Sequence, residues 1–315
     1  MTDRYDRFLL AYFLSEQDEH GEQIRFAVSH GATPTSWNVL NEGEPVLVSN
    51  VGERGVRDPF LVRDHRTGAC HLLATDLRIW PSQDWTRTMR TGSRSIVAWS
   101  SADLVAWSSP RLIPLAPAEA GNTWAPKAIW SDERDCWMVV WASALFYGED
   151  RSAGSYQRIM TAPTQDFTDF GPAEIYLDLG HDVIDAAFLR DGPDWYRFSA
   201  NAQPVRDADP TAGSYIFIER GRSFDDPDYR PVAVAVGRTE LEHGEGPAVA
   251  RAADGSTYLL IDEHGLRGYQ LFHTPGPLDG PWRHIADAHL PDGARHGSLL
   301  AITQDEAERL LKTEW

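Results

Sequence analysis

The sequence predicts an all-β fold: a single five-bladed β-propeller over residues 1–315, in which N-terminal strands join the C-terminal blade and close the ring. Three observations lead to this prediction. Five segments repeat one strand–turn–strand plan, and a second plan of strand, turn and aromatic residue alternates with the first. The 315 residues also divide into five units of about 60, the size of one four-stranded blade.

The first plan is that of a β-hairpin. Each of its first four copies starts with a polar or small pair, runs through a short apolar stretch and an Asp- or Gly-containing turn, and ends in a second apolar strand. The copies are 57–76, 124–143, 184–200, 245–263 and, shorter, 295–303.

The second plan supplies the outer strands and places an aromatic residue about eight positions after a strand, at Trp37, Trp107, Phe170 and Trp282. The fifth unit is split, with its inner strand at 295–303 and its outer strands around 23–49. Because strands from both chain ends then share one sheet, the ring has no open edge. One amphipathic helix is predicted at 304–312, and no linker or domain boundary is apparent.

Charge and composition limit the partners. With 29 Lys+Arg against 47 Asp+Glu the formal net charge is −18, which repels nucleic-acid phosphates and anionic lipid surfaces, so we expect a neutral ligand. The oligomeric state stays open. No apolar run reaches a membrane span, and the N-terminal segment, interrupted by Asp3, Asp6 and Glu16, does not resemble a signal peptide, so a cytoplasmic protein is expected. Cys70 and Cys136 are predicted to be buried and unpaired.

Candidate functional residues follow from the repeat register. In a propeller the first strand of each blade lines the central channel, and its leading residues surround one mouth of it. Charged residues at equivalent places around one axis are costly to bury together unless they pair or do chemistry. The five repeats place there Asp58, Ala125, Asp185, Gly246 and His296, preceded by Arg57, Trp124, Ile184, Glu245 and Arg295.

Each of these residues also has a structural interpretation. Asp58, which precedes a proline, could cap a turn, and Glu245, which lies between glycines, could be an exposed turn residue. His296 and Trp124 could simply be core residues. Asp185 is harder to explain in this way, since an isolated Asp is disfavoured within an apolar strand. The common register across the repeats favours a functional site.

Three carboxylates in one pocket suit the cleavage of a glycosidic bond. One carboxylate must activate water or attack carbon, and one carboxylic acid must protonate the leaving oxygen. A third carboxylate can raise the pKa of the acid by like-charge repulsion.

Seven motifs occur in order at blade spacing: GEQIRFAVS (21–29), VRDPF (56–60), RTGSRSI (90–96), TWAP (123–126), GHDVID (180–185), EGP (245–247) and RHG (295–297). Through them, nearly the whole chain resembles glycoside hydrolase family 43, five-bladed propeller enzymes that are mostly α-L-arabinofuranosidases, β-xylosidases and arabinanases. Any one tripeptide is weak, but seven in order are specific.

The resemblance implies a role for each candidate residue. Asp58 would be the general base that activates water, Glu245 the general acid, and Asp185 the residue that tunes and orients the acid. It also implies inversion of anomeric configuration, which fits two carboxyl groups roughly 6.5–9.5 Å apart. The residues expected to bind substrate are Arg57, Trp124, Arg295 and His296.

The resemblance bears on metals as well. No cofactor is expected to be required, but His296 matches an axial histidine that in many relatives contacts a central water or calcium ion, so the resemblance allows a structural calcium. The sequence departs from the family at Lys127, where many relatives have an acidic residue after W-A-P. We expect this lysine at the rim of the pocket, where it would change the local charge.

The sequence therefore predicts an exo-acting, inverting glycoside hydrolase that releases a terminal pentose, foremost L-arabinofuranose, from short neutral oligosaccharides. The exo preference rests on the long segments 77–95 and 144–156, which could wall off the pocket. A β-xylosidase, an exo-galactosidase, a fructosidase and a non-catalytic carbohydrate-binding propeller are alternatives. Arg57, Arg295 and His296 also leave open a phosphate-dependent enzyme acting on mannosides.

Overall fold

Five four-stranded antiparallel sheets form the β-propeller in the computed structural model, which describes residues 5–148, 151–202 and 213–315. The innermost strands of the five sheets pack side by side around the axis. The fold class predicted from the repeats is confirmed.

The strands are numbered in chain order. The closing blade begins with β1 (Tyr5–Phe13), β2 (Arg25–Ser29) and β3 (Trp37–Val39). The first complete blade contains β4 (Val56–Arg63), β5 (Cys70–Asp76), β6 (Ser95–Ser101) and β7 (Arg111–Pro114). The second contains β8 (Trp124–Ser131), β9 (Cys136–Ala144), β10 (Gln157–Thr164) and β11 (Glu174–Leu177).

The third complete blade contains β12 (Val183–Asp191), β13 (Asp194–Ala202), β14 (Ser214–Gly221) and β15 (Arg230–Val236). The fourth contains β16 (Glu245–Arg251), β17 (Thr257–Glu263), β18 (Gly268–Thr274) and β19 (Arg283–His284). Finally β20 (Arg295–Thr303) returns to the closing blade, whose strand order is β20-β1-β2-β3.

The closing blade differs from the prediction in one strand. Its inner strand and its two outer strands lie where the repeats placed them, but the second strand is β1, which was assigned no structure. Leu9 pairs with Leu300 of β20 on one side and with Val28 of β2 on the other, so both edges of β1 are hydrogen-bonded. All residues of β1 from Phe8 to Phe13 are buried, and a strand covered on both faces reads as a continuous apolar run rather than an alternation.

A β-bulge recurs at the same place in the innermost strands β4, β8, β12 and β16. In each, one residue adopts a left-handed backbone conformation, and the pairing register with the second strand shifts around it. Bulges bend a strand and re-aim its side chains, here at the end of each strand that starts at the channel mouth. The bulge residues are Asp58 (φ 53°), Ala125 (φ 52°), Asp185 (φ 63°) and Gly246 (φ 59°).

Two α-helices lie outside the sheets in the part of the chain that the structure describes. Helix α2 (Gln304–Lys312) has the predicted bounds, and Thr303 with Glu306 forms a capping box at its start. Helix α1 (Trp85–Arg90), which was not predicted, lies between β5 and β6. Cys70 and Cys136 are buried and unpaired, as predicted. Among the described residues, neither helix has the length and apolar character needed to cross a bilayer.

Candidate active site

A cavity of about 820 Å³ lies over the channel mouth where the innermost strands begin. All seven residues predicted for the site line it: Arg57, Asp58, Trp124, Asp185, Glu245, Arg295 and His296. They come from five different blades, so the repeat register brings them together although up to 239 positions separate them.

Asp58 is held by two neighbours from other strands. Thr75 Oγ1 of β5 donates a hydrogen bond to Asp58 Oδ2 at 2.6 Å, and the same hydroxyl accepts one from the Ala125 amide at 2.7 Å. Asp58 Oδ1 lies 3.2 Å from His296 Nδ1. Both carboxylate oxygens therefore have a polar partner, which orients the carboxylate plane.

Asp185 approaches the same ring nitrogen of His296 as Asp58 does. Its Oδ2 accepts a hydrogen bond from the Gly246 amide at 3.0 Å and is 3.8 Å from His296 Nδ1. Burial raises the pKa of Asp185 well above its usual value, and the nearby charges of Glu245 and Asp58 raise it further. Lys127 and the Gly246 amide oppose that rise in part.

Glu245 faces the cavity and contacts two basic side chains. Its Oε1 lies 3.3 Å from Arg295 Nη2, and its Oε2 lies 3.3 Å from His264 Nδ1. Burial is the largest influence and raises the pKa of Glu245, while Arg295 lowers it and Asp58 raises it. Burial lowers the pKa of His264 to about 4, so this ring is neutral near pH 7. Glu245 is thus the carboxyl group beside open space whose pKa is shifted toward that of a general acid.

Sequence reasoning missed Asp262, a fully buried residue of β17 paired in register with Glu245. Its Oδ2 accepts hydrogen bonds from Arg295 Nε at 3.1 Å and from the His296 amide at 3.3 Å. Asp262 therefore orients two of the predicted site residues from behind. A carboxylate inside the apolar run LLIDE was the signal available in the sequence.

Replacing Asp262 by Asn should alter how stability depends on pH. Burial raises the pKa of Asp262 to about 6 from 3.8, so the native state holds this proton more tightly than the unfolded chain does. The free energy of unfolding of the wild type should therefore fall by about 1 kcal/mol more than that of Asp262→Asn between pH 5 and pH 8. Urea denaturation at both pH values measures this difference, with exposed Asp287→Asn as the control for loss of one charge. Parallel pH dependences for wild type and Asp262→Asn would contradict it.

The cavity walls come partly from segments that the sequence did not single out. The loop Leu14–Asp18, between β1 and β2, forms one side, and residues His264–Gly268 and Asp292–Gly293 form another. Of the predicted wall 77–95, Leu77 and Trp85 line the cavity. Of the other predicted wall, 144–156, the described residues 144–148 and 151–156 do not line it, so that expectation was wrong for the described residues. Their backbone instead packs beside Gly121 and Arg90.

Arg57 is fully engaged within the wall. Its Nη1 lies 3.0 Å from Glu22 Oε1 and 3.1 Å from Glu16 Oε2, and its guanidinium packs over the rings of Phe13 and Trp85. Glu16 also lies 3.5 Å from Arg295 Nη1 and so links both arginines. Trp85 meets Trp124 edge to face, with ring centroids 6.4 Å apart, which gives the cavity an aromatic corner.

Lys127 does not lie at the rim, as the sequence had suggested. Its side chain is 2% exposed, and its Nζ lies 3.2 Å from His296 Nε2, below the floor of the cavity. The bulge at Ala125 explains the difference, because it turns Trp124 toward the cavity and directs Lys127, on the far side of the bulge, into the channel.

The calcium contact predicted for His296 stays a prediction, and the surroundings of this residue do not suit it. Asp185, Glu245 and His296 each bring one ligand atom within 4.8 Å of the others. Calcium prefers six to eight oxygen ligands, however. Here Lys127 already faces one nitrogen of His296, and Arg295 faces Glu245. The donor set is therefore small and is flanked by two cationic side chains.

Comparisons with known proteins agree with this architecture. A family model described as "Probable glycosyl hydrolase domain", related to glycoside hydrolase family 43, matches residues 3–308. An α-L-arabinofuranosidase of Bifidobacterium longum subsp. longum is 31% identical over 207 residues, which are 61% of this chain but 19% of that protein. The chain thus corresponds to about a fifth of this relative.

Solved structures share the fold at low identity. A thermostable family-43 glycoside hydrolase superposes with a TM-score of 0.53 at 18% identity, covering 76% of this chain and 74% of the other. An exo-1,5-α-L-arabinanase from a bovine ruminal metagenomic library gives a TM-score of 0.56 at 11% identity, covering 89% and 93%. At these identities the likeness concerns the propeller fold.

Proposed function

We propose that this chain, which belongs to the glycosyl hydrolases related to glycoside hydrolase family 43, is an exo-acting, inverting α-L-arabinofuranosidase. The observation that carries the proposal is the convergence of Asp58, Asp185 and Glu245 on one cavity, each held by neighbours from other strands. The name of the Bifidobacterium relative supports arabinofuranose as the sugar.

The proposed mechanism assigns the carboxylates by their surroundings. Asp58, whose two oxygens are oriented by Thr75 and His296, accepts a proton from a water molecule that attacks the anomeric carbon. Glu245, with its raised pKa, donates a proton to the leaving oxygen. Water attacks from one face while the leaving group departs from the other, so the configuration at the anomeric carbon inverts.

Asp185 acts on this pair without contributing the transferred proton. The charges of Glu245 and Asp58 both raise the pKa of Asp185, so its carboxyl group is electrostatically coupled to the other two. The Gly246 amide, next to Glu245 in the chain, binds Asp185 Oδ2, so the same contact orients the start of β16. We therefore assign Asp185 a positioning role.

The aromatic corner supports a sugar ligand. Trp85, Trp124, Leu77 and Ile184 give the cavity apolar surface against which the C–H face of a furanose or pyranose ring can pack. Hydroxyl groups would meet Arg57, Arg295 and the carboxylates. One wall of this corner is the 77–95 segment, which supports an exo mode of action.

Phosphate dependence is disfavoured by how the arginines are paired. Arg57 contacts Glu16 and Glu22, and Arg295 contacts Glu16, Glu245 and Asp262. Since carboxylates already pair with both guanidinium groups, the described residues of the cavity include no unpaired cluster of cations for a dianion.

Product analysis tests the proposal. We expect the purified protein to hydrolyse p-nitrophenyl α-L-arabinofuranoside at least about tenfold faster, in kcat/KM, than the β-D-xyloside or β-D-galactoside. Proton NMR of the first product should show the β anomer, and added phosphate should have no effect. Preference for the xyloside would make xylose the sugar instead of arabinofuranose. α-Arabinofuranose as the first product would contradict the inverting mechanism. Saccharide binding without turnover would contradict the proposal that this protein is an enzyme.

A further inference from the structure

A buried lysine occupies the channel beneath the candidate active site. Lys127 lies on β8 two residues past the bulge residue Ala125, and its Nζ is 3.2 Å from His296 Nε2. A cavity of about 80 Å³ adjoins it in the channel. The residues at the equivalent place in the other blades are Phe60, Ala187, Ala248 and Ser298, all of which line this cavity and none of which is charged.

The choice of lysine stands out against the rest of the chain. The protein has 27 Arg and two Lys, and the other lysine, Lys312, is exposed at the end of α2. An ammonium group is a compact point charge, whereas a guanidinium carries five donors in a fixed fork. Among the described residues, the channel offers Lys127 one acceptor at hydrogen-bonding distance, His296 Nε2, which suits the smaller group.

The nearby carboxylates favour a charged Lys127. Burial lowers the pKa of Lys127, and the charges of Asp185 and Asp58 oppose that shift. An isolated buried charge would be strongly unfavourable, but here the acidic groups of Asp58 and Asp185 offset part of the cost and His296 Nε2 lies at hydrogen-bonding distance.

The geometry also selects the tautomer of His296. Burial lowers the pKa of His296 well below its usual value, and Lys127 lowers it further, so the ring is neutral. An ammonium group has donors and no acceptor, so His296 Nε2 must accept and the ring proton must lie on Nδ1. His296 Nδ1 is 3.2 Å from Asp58 Oδ1 and therefore donates to the proposed base.

We propose that Lys127 is the resident cation of the axial channel on the Nε2 side of His296, and that it positions Asp58 by holding His296 in the Nδ1–H tautomer. The contact Lys127 Nζ–His296 Nε2 and the contact His296 Nδ1–Asp58 Oδ1 form one relay from β8 through β20 to β4. The catalytic part of this inference rests on the proposed function, whereas the cation and the tautomer do not.

Nitrogen-15 NMR tests the cation and the tautomer without any substrate. In protein labelled at lysine and histidine nitrogens, Lys312→Met should leave one lysine signal, that of a protected ammonium group. The His296 signals, identified by their loss in His296→Gln, should show a proton on Nδ1. A neutral or freely exchanging Lys127 amine, or a His296 proton on Nε2, would overturn the proposal.

Calcium binding gives a second readout that is independent of turnover. We expect millimolar calcium to produce neither a binding isotherm nor a shift of the thermal midpoint in the wild type, because Lys127 repels it. EDTA should leave kcat unchanged. Saturable calcium binding that raises the thermal midpoint would show that the channel takes a metal ion despite Lys127, and would overturn the inference.

Kinetics test the positioning role. Lys127→Met keeps much of the side-chain volume and removes the donor, so we expect kcat to fall about 10- to 100-fold with KM within about twofold. Lys127→Gln, whose amide can still donate to His296 Nε2, should recover part of the loss, and Lys312→Met is the control. Wild-type kcat in a folded Lys127→Met would overturn the role. If Lys127→Met does not fold, the NMR result decides. If the wild type hydrolyses none of the glycosides, the proposed function is overturned, but the assignment of Lys127 as a buried cation is not.

Discussion

Replacing Asp58 by Asn should lower kcat about 10²- to 10⁴-fold while KM changes by less than about threefold, since a general base acts in the transition state and contributes little to ground-state binding. Asn keeps the size of the side chain and an oxygen for the Thr75 hydroxyl, so the blade contact Thr75–Asp58 is preserved. Because the leaving group is not affected, the loss should be similar for aryl arabinofuranosides with good and poor leaving groups. Steady-state kinetics on such a pair measures both quantities.

The opposite end of the same strand offers a matched control. Asp64 directly follows β4 and is buried, but its carboxylate binds Arg66 and Thr67 and does not line the cavity. Asp64→Asn should retain wild-type kcat within about threefold. Azide, a nucleophile that needs no base, should restore turnover to Asp58→Ala. A loss in Asp58→Asn that grows sharply with poorer leaving groups would assign Asp58 to the acid role instead.

Replacing Glu245 by Gln should also lower kcat about 10²- to 10⁴-fold, and the loss should be largest for substrates with poor leaving groups. A dinitrophenolate leaves without help from an acid, so the activated substrate should keep most of its rate, whereas an arabino-oligosaccharide should lose nearly all of it. The ratio of the two losses is the measurement. Equal losses for both substrates would remove Glu245 from the acid role.

The dependence of kcat/KM on pH is an independent test of Glu245 as the general acid. The acid must be protonated to act, and burial raises its pKa, so kcat/KM should fall as pH rises through that raised value. This alkaline limb should disappear in Glu245→Gln. The control is Glu219→Gln. Glu219 lies on β14, pairs with Arg197 and does not line the cavity, so this variant should keep the alkaline limb. An unchanged limb in Glu245→Gln would show that another group provides the acid.

Much of the site could be predicted because the propeller converts repeat register into spatial position. Asp58 and Asp185 occupy corresponding places in two repeats, Glu245 lies one position earlier in a third, and equivalent bulges in their strands turn these places toward one cavity. The bulges themselves were not predicted. Asp58 and Asp185 are non-glycine residues with left-handed backbones, and such a conformation has no reliable sequence signal.

Other site residues could not be predicted because their role depends on contacts across blades. Glu16 lies on the loop between β1 and β2, and nothing in its local sequence indicates that it bridges Arg57 and Arg295. Asp262 carries a signal, a carboxylate in an apolar strand, but its partners become visible only in three dimensions. Lys127 was expected at the rim of the cavity but lies in the channel below it, since the direction of its side chain depends on the bulge that precedes it.

From its sequence alone, this protein could be described as a five-bladed propeller with three carboxylates at one mouth, because hairpin repeats, turn residues and register are patterns of near neighbours in the chain. Tertiary structure decided which carboxyl group is oriented by Thr75 and His296, which one faces open space beside Arg295, and that a lysine lies beneath them. Proton affinity and tautomer depend on burial and on charges a few ångströms away. In this fold those charges come from residues up to 279 positions apart, a separation over which local sequence patterns carry no information.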